Sequence, residues 1–218
     1  MITALVTGTA GGAIGVVLGL WTRRTLTSLD YRLDDEHSLP APGKRTWIVW
    51  ATALSLGGIT AWIAATNSWG LAPALLPLAL AGPALAAIDL DVMRLPNAIL
   101  DPVALTIVAG LASTILTRGE AATAIRGLGI GTLAGAVFWL LNVVSRGGVG
   151  FGDVKLAALV GASTGAISVA ATWWSLLIGS AVALVWAKGT HRRGPVPYGP
   201  WLLLGGWFGV VSAVPPPP

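Results

Sequence analysis

Two aspartates stand where an apolar chain can least accommodate them. Asp89 follows the run Pro83-Ala-Leu-Ala-Ala-Ile and precedes Leu-Asp91-Val-Met-Arg-Leu-Pro96-Asn97, and Asp153 closes Gly148-Val-Gly150-Phe-Gly152 before Val-Lys155 and a second apolar run. Acidic side chains at the mouths of membrane segments are costly to keep and are functional candidates for that reason. A pair of them can hydrolyse an amide: one ionised carboxylate takes a proton from water while its protonated partner polarises the carbonyl. Like charges in one site repel, so such a pair shares a single proton, and an apolar mouth that water still reaches strengthens the effect.

The glycines at 147, 148, 150 and 152 leave the backbone before Asp153 free to adopt unusual conformations and to lie against a ligand, where a substrate strand can pair. Asp153 also opens a helix, so N-capping is its structural alternative. Asp91, two positions from Asp89, points to another helix face and takes a supporting or topological role. A bare helix-end charge is the alternative for Asp89. Gly148-Val-Gly-Phe-Gly-Asp fits neither a dinucleotide fingerprint nor a P-loop. His37 and His191 are isolated in charged loops, no histidine spacing suits zinc, and no serine stands in a nucleophile elbow.

The elements that position these residues must be membrane helices. Of 218 residues 55% are hydrophobic and only 10% charged, with a mean hydropathy of +0.78; a soluble domain carries about a quarter charged residues. The composition implies an all-α, polytopic helical bundle in a lipid bilayer, forming one domain over residues 1–218. Apolar stretches predict about eight transmembrane helices, near 2–21, 47–66, 71–88, 98–117, 122–144, 154–171, 173–187 and 200–214. The sixth and seventh are nearly continuous, and the break between them is expected at 161–165 or 171–174. Glycines 8, 11, 12, 15 and 19 recur at helical spacing in the first segment, as a close helix-helix contact requires. The prolines at 215–218 read as a frayed tail.

All thirteen basic residues but Arg118 and Arg126 fall in the first, third, fifth and seventh connections. By the positive-inside rule those connections are cytoplasmic, the amino terminus is outside, and both aspartates lie at the cytoplasmic face. The first segment has its arginines after the apolar stretch and reads as a retained span rather than a cleaved signal. The net charge of +4 and pI near 10.1 therefore report topology, not nucleic-acid binding. With no cysteine, disulfides, thiolate metal sites and a cysteine nucleophile are excluded. The segment from Lys188 to Trp201 approaches the last helix through Pro195, Pro197 and Pro200 and can shape the rim of the site.

Taken together, Ile88-Asp89 with Leu95-Pro96-Asn97, then Gly150-Phe-Gly152-Asp153-Val-Lys155-Leu156, then Pro195-Val-Pro-Tyr198-Gly199-Pro200 resemble the motifs of type IV prepilin peptidases, within the GxGD group of intramembrane aspartyl proteases. The resemblance covers about residues 71–214. It implies Asp89 and Asp153 as the catalytic pair, with Gly150, Gly152, Lys155, Pro96 and Asp91 as substrate-binding or motif support. It further implies prepilin or pseudopilin substrates, cut on the cytoplasmic side of the inner membrane, typically after a glycine, with no metal or other cofactor. Bifunctional members methylate the new amino terminus and carry a larger insertion after the first span, often with paired cysteines. Here only residues 22–46 fill that place, so no methyltransferase activity and no S-adenosylmethionine site are expected. Tyr198 stands where phenylalanine is common, and Asn97 replaces a frequent aspartate, which throws the weight onto Asp89.

A preflagellin-type protease is the near alternative. A proton- or cation-coupled transporter is the distant one, and it would need ionisable residues spread through the depth of the bilayer. No sequence feature specifies an oligomeric state.

Overall fold

The structure, a computed structural model, describes residues 1–146, 148–190 and 196–214, the side chains of residues 117 and 118 excepted. Gly147, His191, Arg192, Arg193, Pro195, the prolines at 215–218 and the Arg118 side chain, all invoked from the sequence, lie outside it. Among the described residues eight α-helices form: α1 (Ile2–Thr25), α2 (Trp47–Thr66), α3 (Ala72–Val92), α4 (Asn97–Arg118), α5 (Ala121–Val144), α6 (Phe151–Ile167), α7 (Val169–Gly189) and α8 (Gly199–Val211). No strand occurs among the described residues. Among the described residues six helices are long and apolar enough to cross a membrane, whereas α6 and α8 are shorter. At about 1.5 Å per residue α8 falls well short of a bilayer core about 30 Å thick. The chain is a multi-pass membrane protein.

Local chemistry sets the helix ends. Asn67, Met93 and Gly119 close α2, α3 and α4 in the left-handed conformation, with φ of 53°, 51° and 69°. Pro96, extended and unable to donate, starts α4. The break between α6 and α7 falls at neither expected place. Ser168 makes it: its backbone is extended and its hydroxyl accepts the Ala171 N–H at 3.0 Å, an N-cap that a search for glycine or bulky breaks passes over.

α6 is the centre of the bundle. Thirteen of its residues, from Asp153 to Ile167, are buried, as a helix apolar on all sides must be. Small residues let its neighbours close on it: a methyl group at Gly131 of α5 would stand 2.8 Å from the Ala158 carbonyl oxygen. α1 lies at the edge, burying Gly11, Gly15 and Gly19 against α2 while Leu5, Val6 and Val17 remain exposed. Its glycines pack helix on helix, as the spacing predicts.

The far end of α6 is closed by Arg126 of α5. Its guanidinium donates to the Gly165 and Ala166 carbonyls at 2.9 and 2.5 Å and to that of Ile167 at 3.3 Å. These are carbonyls that a helix C-terminus leaves without partners, and a cation there also complements the helix dipole. Arg126→Ala is expected to cost about 1–3 kcal/mol, read as earlier thermal unfolding in detergent, with Arg126→Lys recovering part of the loss.

Candidate active site

Asp89 sits one turn before the end of α3 and is 3% exposed. Its Oδ2 accepts the backbone N–H of Gly199 at 2.9 Å. Gly199 is the first residue of α8, where N–H groups have no partner within the helix and favour an anion. Proline at position 200 cannot supply such a donor, so the contact rests on Gly199. From the sequence this segment is a rim and the third motif of the resemblance, with no role for Gly199 itself; its signal is a glycine opening a helix directly before a proline.

Asp153 occupies the first turn of α6 and is 7% exposed. Gly150, not Asp153, is the N-cap, and from the third helical position Asp153 Oδ2 accepts the Gly150 N–H at 3.2 Å, the side-chain arm of a capping box. Capping uses one oxygen. The other, Oδ1, is buried with no partner among the described residues, which leaves half of this carboxyl group for something beyond the fold. α3, α6 and α8 pack together at one end of the bundle and bring both carboxyl groups there.

Leu95, in the α3–α4 turn, joins the two halves of the site. A methyl group added at Gly152 would stand 2.9 Å from Leu95 Cβ, and one at Gly199 would stand 3.2 Å from Leu95 Cδ2 and 2.9 Å from Asp89 Oδ2. The glycines at 148, 150 and 152 do not adopt the unusual backbone conformations expected of them. None of Gly148, Gly150 and Gly152 has positive φ, and Gly150 is at −67°. Room, rather than unusual backbone, requires glycine at 152.

The remaining motif residues hold the frame. Pro96 caps α4 with its carbonyl, which accepts from Ile99 and Leu100 at 3.1 Å. Lys155 Nζ donates to Asn97 Oδ1 at 2.8 Å and to Asp101 at 3.4 Å, tying α6 to the start of α4. Asp91 turns away from Asp89 and is held by Arg32, Arg45 and Tyr31 of the α1–α2 connection; from the sequence the two arginines are topology markers and Tyr31 carries no signal. His37 is exposed. No cluster of three or more His, Cys, Asp or Glu side chains able to hold a metal occurs among the described residues. An apolar cavity of about 430 Å³ flanks the site, lined by Ala86 and Leu90 of α3, Trp47 of α2 and Trp201 of α8, and it does not include the aspartates.

The fold and site define a polytopic helical membrane protein that draws two buried carboxyl groups together at one end. The model of the type IV leader peptidase family matches residues 74–187, and the chain belongs to that family. It is similar to a prepilin leader peptidase/N-methyltransferase of Aeromonas salmonicida (strain A449), with 31% identity over 160 residues, covering 67% of this chain and 51% of that protein. It is also similar to one of Burkholderia pseudomallei (strain 1026b), with 34% identity over 171 residues, covering 72% and 48%. The chain thus spans about half the length of these curated relatives. No solved structure matches it.

Proposed function

We propose that this chain is an aspartyl endopeptidase of the inner membrane that removes the basic leader of type IV prepilin-like proteins at the cytoplasmic face, typically after a glycine. One observation carries the reading: Asp89 and Asp153, from helices distant in sequence, are both buried at the Leu95 turn, where Gly199, which holds Asp89, and Gly152, next to Asp153, pack on the same side chain, and each carboxyl group accepts one backbone N–H. Family membership and the relatives' names supply the substrate class. The cytoplasmic assignment, with the amino terminus outside, rests on the basic connections at this end of the bundle, Arg32, Arg45 and Arg94 among them.

In this mechanism one carboxylate takes a proton from water as the water attacks the scissile carbonyl. The protonated partner donates to the carbonyl oxygen, and no covalent intermediate forms. The backbone N–H groups of Gly199 and Gly150 fix one oxygen of each carboxyl group, and the second oxygens are left to act on the attacking water and the scissile carbonyl. Metal and cofactor play no part in the proposal. Methyl transfer is likewise not assigned, since the α1–α2 connection is short and engaged with α3.

The test is incubation of the purified protein in detergent with a peptide carrying a prepilin-like basic leader, a glycine and an apolar segment, followed by mass spectrometry. Cleavage beside the glycine is expected. An intact peptide, with the enzyme folded, would overturn the reading.

A further inference from the structure

Resting on the peptidase reading above, we propose that the α1–α2 connection is a strap that positions the catalytic pair, with Arg32 as a positioning residue acting on Asp89 through Asp91. Arg32 lies in a loop yet is 5% exposed. A guanidinium is desolvated at a cost, so its partners decide its value. Nε and Nη2 fork onto the two oxygens of Asp91 at 3.0 and 2.8 Å, while Nη1 and Nη2 donate to the Leu39 and Pro40 carbonyls at 3.0 and 2.9 Å. One side chain thereby ties the far limb of its own loop to the last turn of α3. The two-bond fork fixes orientation as well as distance.

Two further ties act on the same short segment. Asp91 Oδ2 also receives the Tyr31 hydroxyl at 2.5 Å and Arg45 at 3.2 Å, and Arg45 Nη2 in turn donates to Tyr31 at 2.7 Å. Arg94 forks onto Glu36 at 3.0 and 2.8 Å and reaches the Tyr31 carbonyl at 2.8 Å. The hydrogen bonds from Arg94 hold the Glu36 carboxyl below its ordinary value, so this clamp stays ionised at neutral pH. Beneath them, Leu26 and Ile48 pack on Ala87 and Ile88 of α3.

The clamped segment, 91–94, is bracketed by the two residues that build the site. On one side is Asp89, whose carbonyl accepts the Met93 N–H at 2.9 Å; on the other is Leu95, seated against Gly152 and Gly199. Rotation of the end of α3 would carry Asp89 off the Gly199 N–H and Leu95 out of its seat together. A strap that only stabilised the fold would be replaceable by apolar packing, whereas one that orients Asp89 needs the planar fork, which lysine cannot supply.

The experiment compares Arg32→Ala, Arg32→Lys and the near-isosteric Asp91→Asn in the full chain in detergent, using the peptide assay above. Arg32→Ala is expected to lower kcat about tenfold or more with KM within about twofold, to shift the pH profile of kcat, and to retain a folded bundle. Arg32→Lys recovers only part, and Asp91→Asn lowers kcat similarly if Arg32→Ala fails to fold. Hydrogen exchange gives a readout independent of turnover: the Gly199 amide is expected to exchange at least tenfold faster in Arg32→Ala, with α5–α7 unchanged. An unchanged Gly199 amide, kcat within twofold of the parent, or a loss that only follows the folded fraction would overturn the strap. If Asp89→Asn is inactive while Arg32→Ala is fully active, the strap alone fails; if Asp89→Asn cleaves like the parent, the peptidase reading fails.

Discussion

Replacing Asp153 with asparagine is expected to lower leader cleavage by about two to four orders of magnitude, the range of a positioned acid or base, and to leave the bundle intact. The substitution separates two roles that coincide in this residue. Asparagine keeps the size and a carbonyl oxygen that can accept the Gly150 N–H, so the helix start survives. It cannot exchange a proton with water or a peptide carbonyl. Asp153→Ala removes both roles and is expected to lose in addition about 0.5–1.5 kcal/mol with the hydrogen bond from the Gly150 N–H. The same loss of cleavage is expected for Asp89→Asn, whose amide oxygen can still meet Gly199. Initial rates on the leader peptide, set against thermal unfolding of each variant, supply the comparison. Either asparagine variant retaining a tenth of parental cleavage would mean that the carboxyl group is only a cap or a helix-end charge.

Eight helices could be read from the sequence because each apolar stretch is bounded by residues that water favours or helices reject, such as Asn67, Pro96 and Gly119. The α6–α7 boundary could not, since Ser168 breaks the helix through a hydroxyl on a neighbouring N–H and leaves no gap in the apolar pattern. Asp89 and Asp153 stood out because charge is scarce in this chain. Their surroundings did not, for a different reason. Gly199 acts through its backbone and through the side chain it lacks, and neither has a residue-type signature beyond glycine before proline. Arg32 and Arg45 were visible as positive charge, which sidedness alone explains, and only the path of the loop shows that they converge on Asp91. Likewise the glycines before Asp153 advertised backbone freedom, whereas contact with Leu95 accounts for Gly152.

That contact logic makes Gly199→Ala the second large effect expected. The backbone at 199 is compatible with alanine, since its φ is not positive, and alanine favours a helix over glycine by up to about 1 kcal/mol. The added methyl, however, would stand 2.9 Å from Asp89 Oδ2 and 3.2 Å from Leu95 Cδ2. Either the carboxyl group rotates away or the start of α8 retreats, and in both cases the 2.9 Å bond from the Gly199 N–H is lost. A displacement of this size at a reacting group can cost about 100-fold. Cleavage by Gly199→Ala is therefore expected to fall toward that figure while the unfolding temperature holds or rises slightly, a combination that a general packing defect does not produce. Gly43→Ala is the matched control, because an added methyl there meets nothing within 4 Å. Equal activity in the two variants would show that Asp89 works without its α8 donor, and the site would then have to be rebuilt around α3 and α6 alone.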